Sequence, residues 1–191
     1  SDLSTNLKIA TSGPRRKAQL LGINSSFNIV PIRGNIQTRI DKMNTEKLDG
    51  LIVAKAALNR LKISHPNIYI FSEEEMLPAA AQGAIGIEVI KENLETKTNN
   101  LLESINDNLT FEATGIERAV VAALQGNCLS PISALCKIRD QDVELKVRVS
   151  NQKGSEVYDQ KEIFTLDNKI QALEDFVGRL INNGAKMLIQ N

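Results

Sequence analysis

Five arginines and one cysteine are the residues of this chain best suited to do chemistry. Arg15 and Arg16 follow Pro14, a residue that fits the first position of a helix, so both guanidinium groups fall in a first helical turn. Positive charge there opposes the helix dipole, a small cost to folding that calls for a functional reason. Free N–H groups at a helix start, joined by two guanidinium forks, make a receptor for carboxylate or phosphate. Arg33 follows the apolar run at 28–32, Arg39 falls in the next helical stretch, and Arg60 closes a third. If the apolar runs are parallel strands, Arg33 sits at a strand's C-terminal end, where open α/β sheets bind ligands. Taken singly, each arginine reads as a solvated surface residue. Taken together at strand ends, Arg15, Arg16 and Arg33 read as a polyanion site that Arg60 can complete.

Cys128 stands in Gly126-Asn127-Cys128-Leu129-Ser130-Pro131, a loop composition that leaves a thiol accessible. The same residues also describe an ordinary loop cysteine. Cys136 falls inside an apolar run and reads as a small core residue. His65 precedes Pro66 in a loop, has no cysteine at a spacing that would pair with it, and reads as a surface residue. Glu73-Glu74-Glu75 reads as the solvated start of a helical turn, and Glu88 as a structurally paired strand carboxylate. Two cysteines make neither a disulfide framework nor a zinc site.

Composition narrows the partners. The 191 residues contain 23 Lys+Arg and 23 Asp+Glu, with 42% hydrophobic and 4% aromatic residues and no Trp. Such a chain has a core, lacks the basic excess of a general nucleic-acid binder, and offers few stacking platforms for bases. No apolar run approaches a membrane span and no secretory leader is visible, so a reducing cytoplasm is the simplest setting. The zero net charge hides a division. Residues 1–65 hold 11 Lys+Arg against 4 Asp+Glu, and residues 66–191 hold 12 against 19. Asymmetry of that kind points to separate jobs for the two parts.

The elements that must position these residues alternate at first. Strands are expected over 7–10, 28–32 and 50–54, and helices over 14–21, 36–43 and 55–62, with Ser12 or Gly13 capping the first helix and Gly22 ending it. Short apolar strands alternating with helices imply a parallel sheet with right-handed crossovers. Further strands are expected over 68–71 and 84–90, separated by a helical turn at 73–76 and a bend at 76–83. Helices follow at 94–107 and 111–125. Three antiparallel strands over 131–138, 143–150 and 156–165 come next, and then a closing helix over 168–189 with Ile170, Leu173, Val177 and Leu180 as its apolar stripe. The pattern is an α/β unit to about residue 90 and an α+β unit from about 110.

Several segments are specific enough to suggest a family. Thr11-Ser12-Gly13-Pro14-Arg15-Arg16-Lys17-Ala18-Gln19-Leu20 resembles the T-S-S-L-R-R-Q-A-Q-L segment of the porphobilinogen deaminases. Val30-Pro31-Ile32-Arg33-Gly34-Asn35-Ile36-Gln37-Thr38-Arg39 is similar to their V-P-L-R-G-N-V-x-T-R, and Ala56-Ala57-Leu58-Asn59-Arg60-Leu61 to A-G-L-x-R-L. Met76-Leu77-Pro78 with Gln82-Gly83-Ala84 resembles M-L-P-A-x-G-Q-G-A. Glu117-Arg118-Ala119, followed by Gly126-Asn127-Cys128-Leu129-Ser130-Pro131-Ile132, resembles E-R-A…G-G-C-x-x-P-I. The five segments occur in the family's order and cover essentially the whole chain. Gly13-Pro14 stands for the usual Ser-Leu, losing a hydroxyl, and Asn127 for the second glycine before the cysteine.

The resemblance implies a transferase of tetrapyrrole (haem) biosynthesis that joins four porphobilinogen units head to tail into hydroxymethylbilane and releases ammonia. It implies a dipyrromethane cofactor carried as a thioether on Cys128, with Arg15, Arg16, Arg33 and Arg39 holding the carboxylates of cofactor and chain. Arg60, Ser12, Gly13, Gln82 and Gly83 are then expected to bind substrate, and no metal is expected. The implied fold is a periplasmic-binding-protein-like α/β domain over 1–83, a strand and linker over 84–108 that would return to a first domain, and a small α+β domain over 109–191 with a three-stranded antiparallel sheet. The family's catalytic aspartate belongs to that first domain, so no residue here takes its role, and the chain is expected to be an inactive fragment by itself. Expected partners are porphobilinogen and the growing oligopyrrole, with neither nucleic acid nor membrane. The full-length enzyme is expected to be a monomer and the fragment to self-associate. The competing reading is a non-catalytic module that binds a small carboxylate.

Overall fold

The computed structural model describes residues 6–90 and 95–189. Its first sheet is parallel, with β1 (Lys8–Ala10) at the centre between β2 (Asn28–Val30) and β3 (Gly50–Leu51). Helices α1 (Pro14–Ile23), α2 (Ile36–Thr45) and α3 (Lys55–Arg60) follow the three strands in turn. Pro14 opens α1 as its type predicts, and the Asn35 side chain caps α2 by accepting the Thr38 N–H at 2.8 Å. Gly22 does not end α1. The helix runs on to Ile23, because Gly22 serves a close approach: a Cβ there would meet the Gly154 carbonyl at 3.2 Å. Ile9, Leu20 and Phe27 form the core of this sheet, with Ile52, Phe71 and Met76 packed against them.

The second sheet is antiparallel, in the order β4 (Ile132–Arg139), β5 (Asp142–Ser150), β6 (Val157–Thr165). Alternation along β5 puts Val143, Leu145, Val147 and Val149 on one fully buried face. That face packs on Ile116, Val120 and Leu124 of the helix α5 (Asn108–Ala123) and its end, and on Phe176, Val177 and Leu180 of α6 (Lys169–Asn182). The closing helix is broken. Gly184, at φ +85°, turns the chain between α6 and α7 (Ala185–Leu188). The buried stripe is accordingly shorter than expected, since Ile170 remains 70% exposed at the start of α6.

Two expected strands are absent. Residues 84–90 form no regular element and are exposed throughout, with Ile85 84% accessible, and residues 68–71 join no ladder. A β-prone run becomes a strand only where it pairs with a sheet edge, and neither segment does so among the described residues. Glu88 is therefore an exposed coil residue. The helix α4 (Thr96–Ile105) begins beyond residues 91–94, so the expected start at residue 94 and part of the expected 84–108 linker lie outside the described residues.

The glutamate run is not merely solvated. Glu73 pairs with Lys137 and Glu74 with Lys146 at 2.9 Å, which binds the segment following the parallel sheet to β4 and β5. Glu75 accepts the Ser72 N–H at 2.7 Å and the Tyr69 hydroxyl, which closes a turn. Gly154, in the β5–β6 hairpin, lies directly on α1, where a Cβ would stand 2.0 Å from the Ala18 carbonyl oxygen.

Candidate carboxylate-binding site

The site begins at the C-terminal ends of β1 and β2. Ser12 joins them: its hydroxyl accepts the Ile32 N–H at 2.9 Å and donates to the Ile32 carbonyl. The loop after β1 is thereby held against the loop after β2, which carries Arg33 and the Gly34 turn. The Ser12 hydroxyl is thus engaged by backbone. A Cβ at Gly13 would first meet the methylenes of Arg16, at 3.8 Å, an ordinary packing distance.

Three arginines converge here. Arg15 Nη1 donates to the Leu77 carbonyl at 2.5 Å, Arg16 Nη1 to the Ile52 carbonyl at 3.5 Å, and Arg39 Nε to the Gly34 carbonyl at 2.7 Å. Burial first, and then the neighbouring Arg16 charge, push the Arg15 guanidinium down to about 10. Burial and Arg39 lower Arg16 in the same way. The partners of all three are neutral carbonyls. Every ion pair among the described residues draws its cation from 137–179, and none involves Arg15, Arg16, Arg33, Arg39 or Arg60. A half-buried cluster of like charges without a carboxylate is costly for a folded chain and is relieved by an incoming anion. Arg33 is exposed beside the cluster, with its carbonyl accepting from Lys42 Nζ at 3.2 Å. Arg60 is exposed at the end of α3, and no hydrogen bond or ion pair among the described residues ties it to the other four.

Gln82 and Gly83 lie in a bend in which Ala81 and Gly83 both adopt positive φ, 58° and 98°. The bend is held by Glu117, which is 5% exposed: Oε2 accepts the Ala81 N–H at 2.6 Å and Oε1 the Cys136 N–H at 2.7 Å. Burial raises the Glu117 carboxyl against the opposing pull of those two bonds.

The two thiols differ sharply. Cys136 is buried in β4, and burial followed by the Glu117 charge pushes its thiol up to about 12. Cys128 is exposed in the turn between α5 and β4. Asn127 shapes that turn, its Oδ1 accepting the Leu129 N–H at 2.8 Å while its own N–H donates to Ser130 Oγ at 3.1 Å. Gly126 packs so tightly that a Cβ would lie 2.3 Å from Ile132 Cδ1.

Residue-by-residue reading missed Gln19, Leu77, Glu117 and Arg148. Gln19 is buried between the two sheets, where its Nε2 donates to Ser133 Oγ at 3.2 Å. That bond ties the helix bearing Arg15 and Arg16 to the strand that follows the Cys128 turn. An uncharged polar residue one turn after two arginines looks like helix surface. The one available signal was its place inside the Arg15–Leu20 motif.

Two family models match the chain. Residues 1–98 match "Porphobilinogen deaminase, dipyromethane cofactor binding domain", and residues 111–175 match "Porphobilinogen deaminase, C-terminal domain". The porphobilinogen deaminase of Clostridium novyi is 38% identical over 159 residues, covering 82% of this chain and 52% of that protein. That of Campylobacter lari is 33% identical over 190 residues, covering 98% and 61%. That of Clostridium acetobutylicum is 44% identical over 137 residues, covering 72% and 46%. The chain thus spans about half the length of the curated relatives it matches.

Proposed function

The chain belongs to the porphobilinogen deaminase family, and on that premise we propose that it is the part of such an enzyme that holds the dipyrromethane cofactor and the growing pyrrole chain. The activity it serves is the head-to-tail condensation of porphobilinogen to hydroxymethylbilane with loss of ammonia, a transferase reaction of cytoplasmic tetrapyrrole synthesis. The observation that carries this reading is the cluster of Arg15, Arg16 and Arg39, half-buried, mutually repelling and, among the described residues, bonded only to carbonyls.

The residues fit the cofactor. Dipyrromethane has two rings with two carboxylates each, and the cluster provides guanidinium forks that no protein carboxylate occupies among the described residues. Cys128 provides an exposed thiol for a thioether, whereas Cys136 is enclosed in the core. When bound, the cofactor supplies a covalently held pyrrole to which further units are added. Arg15, Arg16, Arg33 and Arg39 hold its acetate and propionate groups and fix the register of the rings. Ser12, Gly13, Arg60, Gln82 and Gly83 line the approach for incoming porphobilinogen, with Ser12 acting through the backbone it organises. In this reading these residues bind and orient the cofactor and the growing chain.

Calorimetric titration of the chain with porphobilinogen tests the reading. Arg15→Lys and Arg16→Lys are each expected to weaken binding about tenfold, because a lysine cannot make the two-pronged carboxylate contact. Equal affinity in wild type and both variants overturns it.

A further inference from the structure

Among the described residues Arg15 is held by one hydrogen bond, and the residue whose carbonyl accepts it is itself clamped. Leu77 is buried, and its carbonyl takes both Arg15 Nη1 at 2.5 Å and Gln19 Nε2 at 3.0 Å. The Leu77 N–H donates to Gln19 Oε1 at 2.8 Å. A side-chain amide can accept one residue's N–H and donate to the same residue's carbonyl at once, and a carboxylate or an aliphatic side chain cannot. Such a two-point clamp holds the backbone of Leu77 on both sides of its Cα, and with it the direction in which the Leu77 oxygen points.

The amide is oriented in turn from the other sheet. Arg148 of β5 donates through Nη1 to Gln19 Oε1 at 2.9 Å. A guanidinium has only donors, so it sets the oxygen end of the amide toward itself and leaves Nε2 for the Leu77 carbonyl. Arg148 also donates to the carbonyls of Glu75, at 3.3 Å, and Glu74, at 2.8 Å, while its Nε is anchored on Asp159 at 2.8 Å. The segment that ends in Leu77 is therefore gripped by Arg148 at 74–75 and by Gln19 at 77.

We propose that Gln19 and Arg148 are positioning residues for the carboxylate site: by clamping the Leu77 backbone they aim the Arg15 guanidinium, whose remaining N–H groups face the anion. The inference rests on the reading of Arg15 as a carboxylate ligand. It assigns a role in binding to a β5 arginine that never touches the ligand.

The test uses chain labelled with 15N-arginine, with the Arg15 Nε–Hε signal identified by its loss in Arg15→Lys. In ligand-free Arg148→Lys and Gln19→Met the Arg15 signal is expected to shift, and the porphobilinogen dissociation constant to rise about five- to tenfold, as befits a charged hydrogen bond set out of line. In an Arg15→Lys background, Arg148→Lys is expected to add nothing further, because both changes remove the same aimed contact. An Arg15 signal unmoved by Arg148→Lys, or penalties that multiply in the double variant, overturns the proposal. Arg148→Lys keeps the positive charge, so it decides the matter even if Gln19→Met fails to fold. If wild type binds no porphobilinogen, the carboxylate-site reading fails by itself, and the Arg15 signal alone still decides whether Arg148 aims that side chain.

Discussion

The Glu117 carboxylate accepts the Cys136 N–H at 2.7 Å and, on its other oxygen, the Ala81 N–H at 2.6 Å. One buried side chain of α5 thus fastens the Gln82–Gly83 bend to β4. Desolvation acts against the charged form of this carboxyl, and the two backbone donors act for it. Desolvation is the larger effect, and the carboxyl lies above its ordinary value.

That direction sets a pH dependence. An acid raised in the folded protein keeps its proton where the unfolded chain has already lost it, so its contribution to stability is greatest below about pH 4.3 and declines as pH rises through the folded value. Glu74, Glu75 and Glu144 are held low and contribute in the opposite sense. The unfolding free energy of wild type minus that of Glu117→Gln isolates Glu117. We expect that difference to fall with rising pH in urea titrations between about pH 4 and about pH 7. A rising difference contradicts the assignment.

Two glycines make a contrasting pair. Gly154 has φ +67°, and its Cβ would collide with the Ala18 carbonyl, so Gly154→Ala should destabilise the protein by about 3 kcal/mol or more. Gly115 lies inside α5 with open space around it, so Gly115→Ala should stabilise by about 0.5–1 kcal/mol. Denaturant midpoints measure both.

The thiols should separate by reactivity. In chain made in cells that supply no porphobilinogen, so that Cys128 stays a free thiol, brief iodoacetamide treatment at about pH 8 is expected to add one carbamidomethyl group, at Cys128, and a second only after denaturation, since the Cys136 thiol is buried and pushed up to about 12. Peptide mapping that places the first label on Cys136 contradicts this.

The parts of the fold legible in the sequence are those decided by local chemistry. Pro14 at the start of a helix and the Gly–Asn turn at 34–35 act over a few residues, and the helices they mark lie where expected to within two or three residues. The segments 68–71 and 84–90 misled because an apolar run does not say whether a sheet edge is waiting. Glu73 and Glu74 misled because their lysines arrive more than 60 residues later. In the candidate site, the arginine types and spacing were visible, and the structure brings Arg15, Arg16 and Arg39 together while leaving Arg60 apart. Gln19 and Arg148 were not visible, since their relation to Arg15 exists only once α1, the 74–77 segment and β5 are packed.

We propose that Cys128, the exposed thiol, carries the dipyrromethane cofactor. Intact-mass measurement on the chain produced in cells that make porphobilinogen tests it most directly. The expected result is an increment of two pyrrole units on wild type that persists in Cys136→Ser and vanishes in Cys128→Ser. An increment that survives in Cys128→Ser, or wild-type chain recovered with both thiols free, contradicts it.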